Sequence, residues 1–318
     1  MTRRRGGERG VALMLVLWVV IVLAAIASGV VVAARRQTAL AAALRSRAAA
    51  RYAAESGVAA ARAELRALFR AARGPEDQAR VFAGLDAAVR GWGERPLGAA
   101  RYQVAVTDLG ARIDLNHANE DVLRGLLQQF VGEDRATALV DALEDWKDED
   151  DEPREQGAEA ADYAKAGSPF RPSNGPLLRL DELTRIRGFS DSLAGALAPY
   201  VTVLGDGLVN VNTAPERVLA AIPELGAAGA EFLVQARRRG EVWASGLVTQ
   251  QALRQAGRGR YVRETGLITV PERVLVVSRG WLEGEPLTHE IQAVLEVSEL
   301  HRPEGPVLRV VSWTERDR

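Results

Sequence analysis

The 318-residue chain carries 41 basic and 42 acidic side chains, a net charge of −1, so no global field draws it to nucleic acid. It has no cysteine and only three scattered histidines, His117, His289 and His301, which excludes disulfide stapling and thiolate metal sites and leaves no cluster for a histidine zinc centre. The length supports more than one domain.

The chain opens MTRRRGGERG and then runs from Val11 to Ala34 without a charge. As a helix, such a run spans the roughly 30 Å hydrocarbon layer of a bilayer. Arg3, Arg4, Arg5 and Arg9 precede it, which favours a cytoplasmic N-terminus and export of the remainder, although Arg35, Arg36 and Arg45 on the far side weaken that charge rule. The apolar stretch is too long for a cleaved secretory signal. It continues into Ala-, Leu- and Arg-rich sequence with no Pro before Pro75, which predicts one helix of some 60 residues.

Gly74-Pro75 ends that helix, and FAGLDAAV reads as a short helical segment before Gly91, Gly93 and Pro96. RYQVAVTD, 101–108, alternates as a half-buried strand does. Residues 120–146 read as two helices broken at Gly132, 147–176 as a charged loop, and 177–200 as helical around Gly188. YVTVLGDGLVNVN, 200–212, reads as a strand pair or an extended edge, and three short helical stretches follow. LITV, RVLVVSRGWL, HEIQAVLEVSEL and PVLRVVSW read as an antiparallel meander. A lone strand at 101–108 would keep unpaired edges, so it is expected to join that meander. The fold class is therefore α+β: a long N-terminal helix packed on an antiparallel sheet, with a large all-helical domain inserted between the strands. The expected division is 1–10, a long helix 11–73 with 11–34 in the membrane, an α+β domain from 74–112 and 261–318, and the inserted domain 113–260.

An internal repeat joins Ile113-Asp114-Leu115-Asn116 to Val209-Asn210-Val211-Asn212, 96 residues on, each followed by a helix with acids in its first turn. The second copy, VNVNTAPERVLAAIPELG, also looks like the start of a helix-hairpin-helix unit. Its hairpin carries Glu224, and VGEDR carries Glu133 and Asp134, which would repel a phosphate backbone. Arg237, Arg238 and Arg239 read more simply as a helix C-terminus, so no nucleic-acid partner is expected. The asparagines read as structural strand-to-helix corners. No GxSxG, HExxH, P-loop or CxxC motif occurs, and Gly205-Asp206-Gly207 is too short to cradle phosphate, so no catalytic function is expected.

The sharpest chemistry lies between Glu144 and Glu155, where eight carboxylates face only Lys147 and Arg154. Charges this dense repel unless they are solvated or gathered by a hard cation such as calcium. Asp145, Asp148 and Asp150, with Glu159 returned by a turn at Gly157, are the candidate ligands. The spacing does not meet the EF-hand pattern.

RGVALMLVLW resembles the leader junction of type IV pilin-like proteins. That likeness implies cleavage between Gly10 and Val11 by a prepilin peptidase, then methylation of the new N-terminus. Most such proteins carry Glu at mature position 5; here that position is Leu15, a departure typical of the protein K family of type II secretion minor pseudopilins. The stretch with Asp145-Trp146, Gly157-Ala158-Glu159, Tyr163, Asn174-Gly175-Pro176-Leu177 and Asp181-Glu182-Leu183 is very similar to that family. The resemblance implies a non-catalytic subunit anchored in the inner membrane with its bulk in the periplasm, and calcium binding in the inserted domain. It also implies a place at the pseudopilus tip with the minor pseudopilins I and J, and contact with an inner-membrane assembly platform. The alternative from the same leader is a minor pilin of a type IV pilus or of a DNA-uptake pseudopilus.

Overall fold

The computed structural model describes residues 8–83, 93–258, 266–300 and 304–318. Helix α1, Glu8–Ala71, is unbroken over 64 residues, as the proline-free sequence predicts. It has two unlike halves. From Leu13 to Arg45 every residue is exposed. From Ser46 onward, Ala50, Ala53, Ala54, Gly57, Val58, Ala61, Leu65 and Phe69 are buried at spacings of three and four, a single stripe on one helix face.

That stripe lies on a five-stranded sheet ordered β1-β2-β7-β8-β9. Its strands are β1 (Arg95–Leu97), β2 (Ala100–Asp108), β7 (Arg273–Leu282), β8 (Thr288–Ser298) and β9 (Val307–Asp317), all antiparallel. Strand β2 pairs along its whole length with β7, from Ala100 opposite Leu282 to Asp108 opposite Val274. The strand at 101–108 thus joins the C-terminal meander, and the sheet closes around the insertion. Val104, Val106, Val274, Val276, Ile291, Ala293, Leu295 and Leu308 meet Val58, Leu65 and Phe69 in one core. Small residues bring the layers close. A Cβ on Gly280 would collide with the α1 backbone at Ala50 and Ala54, and one on Gly57 with the Ser278 side chain.

Opposite this helix, the sheet centre holds Glu290, which is fully buried. Arg279 (2.7 Å), Arg316, Arg318 (3.0 Å) and Gln292 (3.0 Å) all donate to it. Burial alone would raise its pKa, but the hydrogen bonds from Arg279, Arg316 and Gln292 prevail and hold it at about 2.

Between β2 and β7 stands a second, separate core running from Ile113 to Leu253. Its helices are α3 (Glu120–Val131), α4 (Glu133–Lys147), α5 (Ala160–Lys165), α6 (Asp191–Leu197), α7 (Glu216–Ala220), α8 (Gly226–Arg238) and α9 (Gly246–Gln255); α2 (Pro75–Ala83) precedes the sheet. Gly132, at φ 82°, separates α3 from α4 at the expected break. Four two-residue strands complete it. Strand β3 (Ile113–Asp114) pairs with β4 (Val201–Thr202), and β5 (Val209–Asn210) with β6 (Leu267–Ile268), both in parallel. Two readings from sequence are corrected here. LITV does not extend the antiparallel meander but pairs inside the insertion, and the extended stretch 200–212 does not fold on itself. Each half of it reaches a distant parallel partner, which alternation over two residues cannot reveal. Residues 177–200 also hold less α-helix than expected: a 3₁₀ turn at Leu180–Arg185 and the short α6. FAGLDAAV lies largely outside the described residues.

The 96-residue repeat is structural. The Asp114 carboxylate accepts from the Asn116 amide (2.7 Å), and the Asn210 side chain accepts from the Asn212 amide (2.9 Å). Each following asparagine then makes the same three bonds. Asn116 accepts from Leu177 N and donates to Leu177 O and Val203 O. Asn212 accepts from Trp243 N and donates to Trp243 O and Thr269 O. A basic side chain from the second helix seals each corner, Lys147 on Leu115 O (2.9 Å) and Arg237 on Val211 O (3.2 Å).

Candidate metal centre

The two copies differ in length chiefly at one place. The clamp reaches 61 residues ahead in the first, Asn116 to Leu177, and 31 in the second, Asn212 to Trp243. The basic-residue bond, by contrast, spans 32 residues in the first and 26 in the second. Most of the extra chain in the first copy therefore follows α4, and that is where the acidic loop sits.

Helix α4 ends at Lys147, with Asp148 as its C-cap donating to Glu144 O. Asp145 lies in its last turn, so two carboxylates stand at the negative end of the helix dipole, where cations are favoured. The loop leaves, turns at Arg154–Gly157 and returns to start α5, whose N-cap is Glu159. This brings oxygens of Asp145, Asp148 and Glu159 within 4.8 Å of one another. Asp145 is fully buried and Glu159 is 2% exposed.

The compensation inside the chain is thin. Asp145 accepts from the Arg154 amide (3.2 Å), and the Arg154 Nε stands 3.8 Å away while its guanidinium is engaged with Glu120 at 3.0 Å. Neither oxygen of Glu159 has a hydrogen-bond partner, nor does Oδ1 of Asp148. Burial, then the neighbouring Asp145 and Asp148, push the Glu159 carboxyl up to about 7. Burial raises Asp145 and Asp148 as well, with Asp150 adding to the effect on Asp148. Buried, mutually repelling carboxylates with orphaned oxygens are the donor set of a hard cation: charge and coordination would both be satisfied by one ion. The cluster can hold a metal ion.

Of the four residues singled out from sequence, the structure groups three. Asp150 is exposed, outside the group of three, with Oδ1 accepting from Glu152 N at 2.9 Å. Gly157 contributes beyond its turn. A Cβ there would run into the Asp145 carboxylate, so only glycine lets the loop cross over it. Trp146 packs edge-on against Tyr163 with ring centroids 5.8 Å apart, joining the end of α4 to α5 beneath the carboxylates. The sequence held a trace of these two roles in the Asp145-Trp146 and Gly157-Ala158-Glu159 pairs, but not their contacts.

The other candidates have structural duties. Asp114 holds the His117 ring (3.1 Å), and Asp317 and Glu315 hold that of His289 (2.6 and 3.3 Å). Arg239 pairs with Glu241 at 2.8 Å. Gly10 and Val11 both fall inside α1. That helix is long and apolar enough to cross a membrane.

Comparison with known proteins places the inserted region in context. Two family models, both described as type II secretion system protein K, match residues 104–206 and 209–267, so that their division falls between the two repeat copies. Type II secretion system protein K of Pectobacterium carotovorum subsp. carotovorum is 34% identical over 170 residues, 49% of this chain and 48% of that protein. The Aeromonas hydrophila protein K is 43% identical over 94 residues, 28% of each chain. The chain thus aligns with about half or less of the length of these relatives. The solved GspK–GspI–GspJ complex of enterotoxigenic Escherichia coli contains a chain matching 75% of this one and 93% of its own length, at 17% identity and a TM-score of 0.49.

Proposed function

Since the chain belongs to the type II secretion system protein K family, we propose that it serves as a non-catalytic minor pseudopilin at the tip of the secretion pseudopilus, helping to start its assembly. The observation that carries this reading is the split character of α1. Residues 13–45 bury nothing within the molecule, while the rest of the same helix is committed to the sheet. A fully exposed apolar half-helix needs lipid and other helices around it. Its small residues, Ala24, Ala25, Ala27, Ser28 and Gly29, allow close helix-to-helix approach in the bilayer. The α+β domain (74–112 with 261–318), with the sheet-packed half of α1, then stands outside the inner membrane with the insertion (113–260) on top, where it hinders a further subunit from stacking.

The reading extends to the processing and the partners. A prepilin peptidase cuts between Gly10 and Val11, methylation of Val11 follows, the assembly platform receives the mature chain, and pseudopilins I and J pack beside α1. With Leu15 in place of an acid, the chain offers no carboxylate to a preceding subunit, which suits the first position. For the metal centre, the proposed ion is calcium, held by Asp145, Asp148 and Glu159, with Asp150 the fourth candidate ligand. Its chemistry there is neutralisation of the buried carboxylates, a structural role.

Co-purification of the full chain with candidate I and J proteins, with and without calcium, tests the assembly reading. A stable ternary complex is expected; the chain purifying alone, or its recovered N-terminus still being Met1, overturns it. Calcium leaving the melting temperature unchanged overturns the metal reading.

A further inference from the structure

A cleft of about 540 Å³ opens beside α5, and its charge is the reverse of the acidic loop that precedes that helix. Lys165, Arg185 and Arg187 all line it. Among the described residues none of the three forms an ion pair with a carboxylate. The Arg187 guanidinium donates to Gly157 O at 3.0 Å, a neutral acceptor. The Arg185 guanidinium lies 5.7 Å over the Phe170 ring. Lys165 is exposed. One acid lines the cleft, Asp162, and its carboxylate is occupied by the Glu159 amide at 3.2 Å.

The cleft also has an apolar wall. Phe170 is 44% exposed, large for a phenylalanine on a chain with only 5% aromatic residues, and Tyr163 and Pro169 stand with it. The frame is firm. The Tyr163 hydroxyl accepts from the Arg187 amide (2.8 Å), fixing α5 to the segment that carries Arg185 and Arg187. Three cations that form no ion pair with a carboxylate among the described residues, around an aromatic wall, match a ligand that presents carboxylates and aliphatic groups together.

We propose that this cleft binds a short acidic, partly aliphatic peptide segment of a partner protein. Carboxylates of the segment pair with Lys165, Arg185 and Arg187, and an aliphatic side chain covers Phe170. The site stands on the chain's own cations and not on the metal reading.

The test uses the full chain in detergent at a fixed excess of calcium, so that the loop beside α5 stays in one state. The probes are two fluorescent, end-blocked peptides, Glu-Leu-Asp-Leu-Glu and its uncharged counterpart Gln-Leu-Asn-Leu-Gln. The acidic peptide is expected to bind at least about tenfold more tightly, and to weaken by a similar factor in the double variant Lys165→Gln/Arg185→Gln. Arg254→Gln, at an exposed position of α9, is expected to leave binding unchanged, and thermal melting of each variant verifies folding. Equal binding of the two peptides, no binding of the acidic one at saturating concentration, or full affinity in the folded double variant overturns the proposal.

Discussion

The two copies of the repeat in the inserted domain share a scaffold and differ in what it carries. In each, a two-residue strand ends in an Asx turn, an asparagine clamps a later loop and a later strand, and a basic side chain seals the corner. After α4 the first copy adds an acidic loop; the second returns from α8 almost at once, through Gly240 to Trp243. A clamp that fixes both ends of a loop makes insertion between them cheap, because loop-closure entropy grows only slowly with length. The candidate metal centre is thus an addition to a clamp scaffold that the second copy builds without such a loop.

The clamps themselves offer the severest way to break the comparison. Asn212→Ala removes three hydrogen bonds and strands backbone groups at a site 4% exposed, so a loss of about 3 kcal/mol in urea unfolding is expected. Asn116→Ala removes the same set at a less buried position, and about 2 kcal/mol is expected. An equal or reversed order would show that burial does not set the worth of the two clamps. Asp108, which ties the second copy to the sheet, supplies a pH effect. It is buried and accepts from Asn210 (2.8 Å) and Thr213 (2.5 Å), and burial raises its carboxyl to about 6. A folded pKa above the unfolded value means the native state holds the proton more tightly. Its contribution is whole below about pH 4 and is lost as pH rises through 6, a decline of roughly 3 kcal/mol that Asp108→Asn removes from the stability–pH profile.

Glycines distinguish the copies more gently. Gly157→Ala sets a methyl against the Asp145 carboxylate, so about 2 kcal/mol of destabilisation is expected, together with loss of the rise in melting temperature that the proposed calcium site would give. Gly240 has φ +84° and open space around it, so Gly240→Ala is expected to cost only the backbone strain, about 1 kcal/mol, with the calcium response intact.

Much of this organisation was legible beforehand because it rests on local pattern. The 64-residue helix follows from composition and the lack of proline, the break at Gly132 from a single residue, and β2, β7, β8 and β9 from alternation. The repeat was visible as Asp114-Leu115-Asn116 against Asn210-Val211-Asn212, and with it the structural character of the asparagines. Their reach was not. Leu177, Val203, Trp243 and Thr269 lie far along the chain and contribute backbone atoms, which leave no mark in residue identity. The parallel pairing of β5 with Leu267–Ile268 escaped for the same reason. In the acidic loop, sequence supplied an excess of candidates. Asp145, Asp148 and Glu159 were among the four singled out, and leaving out Asp150 depended on the C-terminus of α4 and the N-cap of α5 meeting in space.

One contact has a mechanical meaning. Where Gly280 meets the backbone of Ala50 and Ala54, the helix sits in a notch of the sheet. The surrounding contact is tight enough that sliding by even one residue would drive methyl groups into β7. A pull or push along the anchor is then delivered to β7, the strand paired on both sides by β2 and β8, as shear across many hydrogen bonds loaded together. Such a seat behaves as a ratchet tooth rather than a bearing: thrust along α1 would travel into the sheet without the helix slipping in its socket.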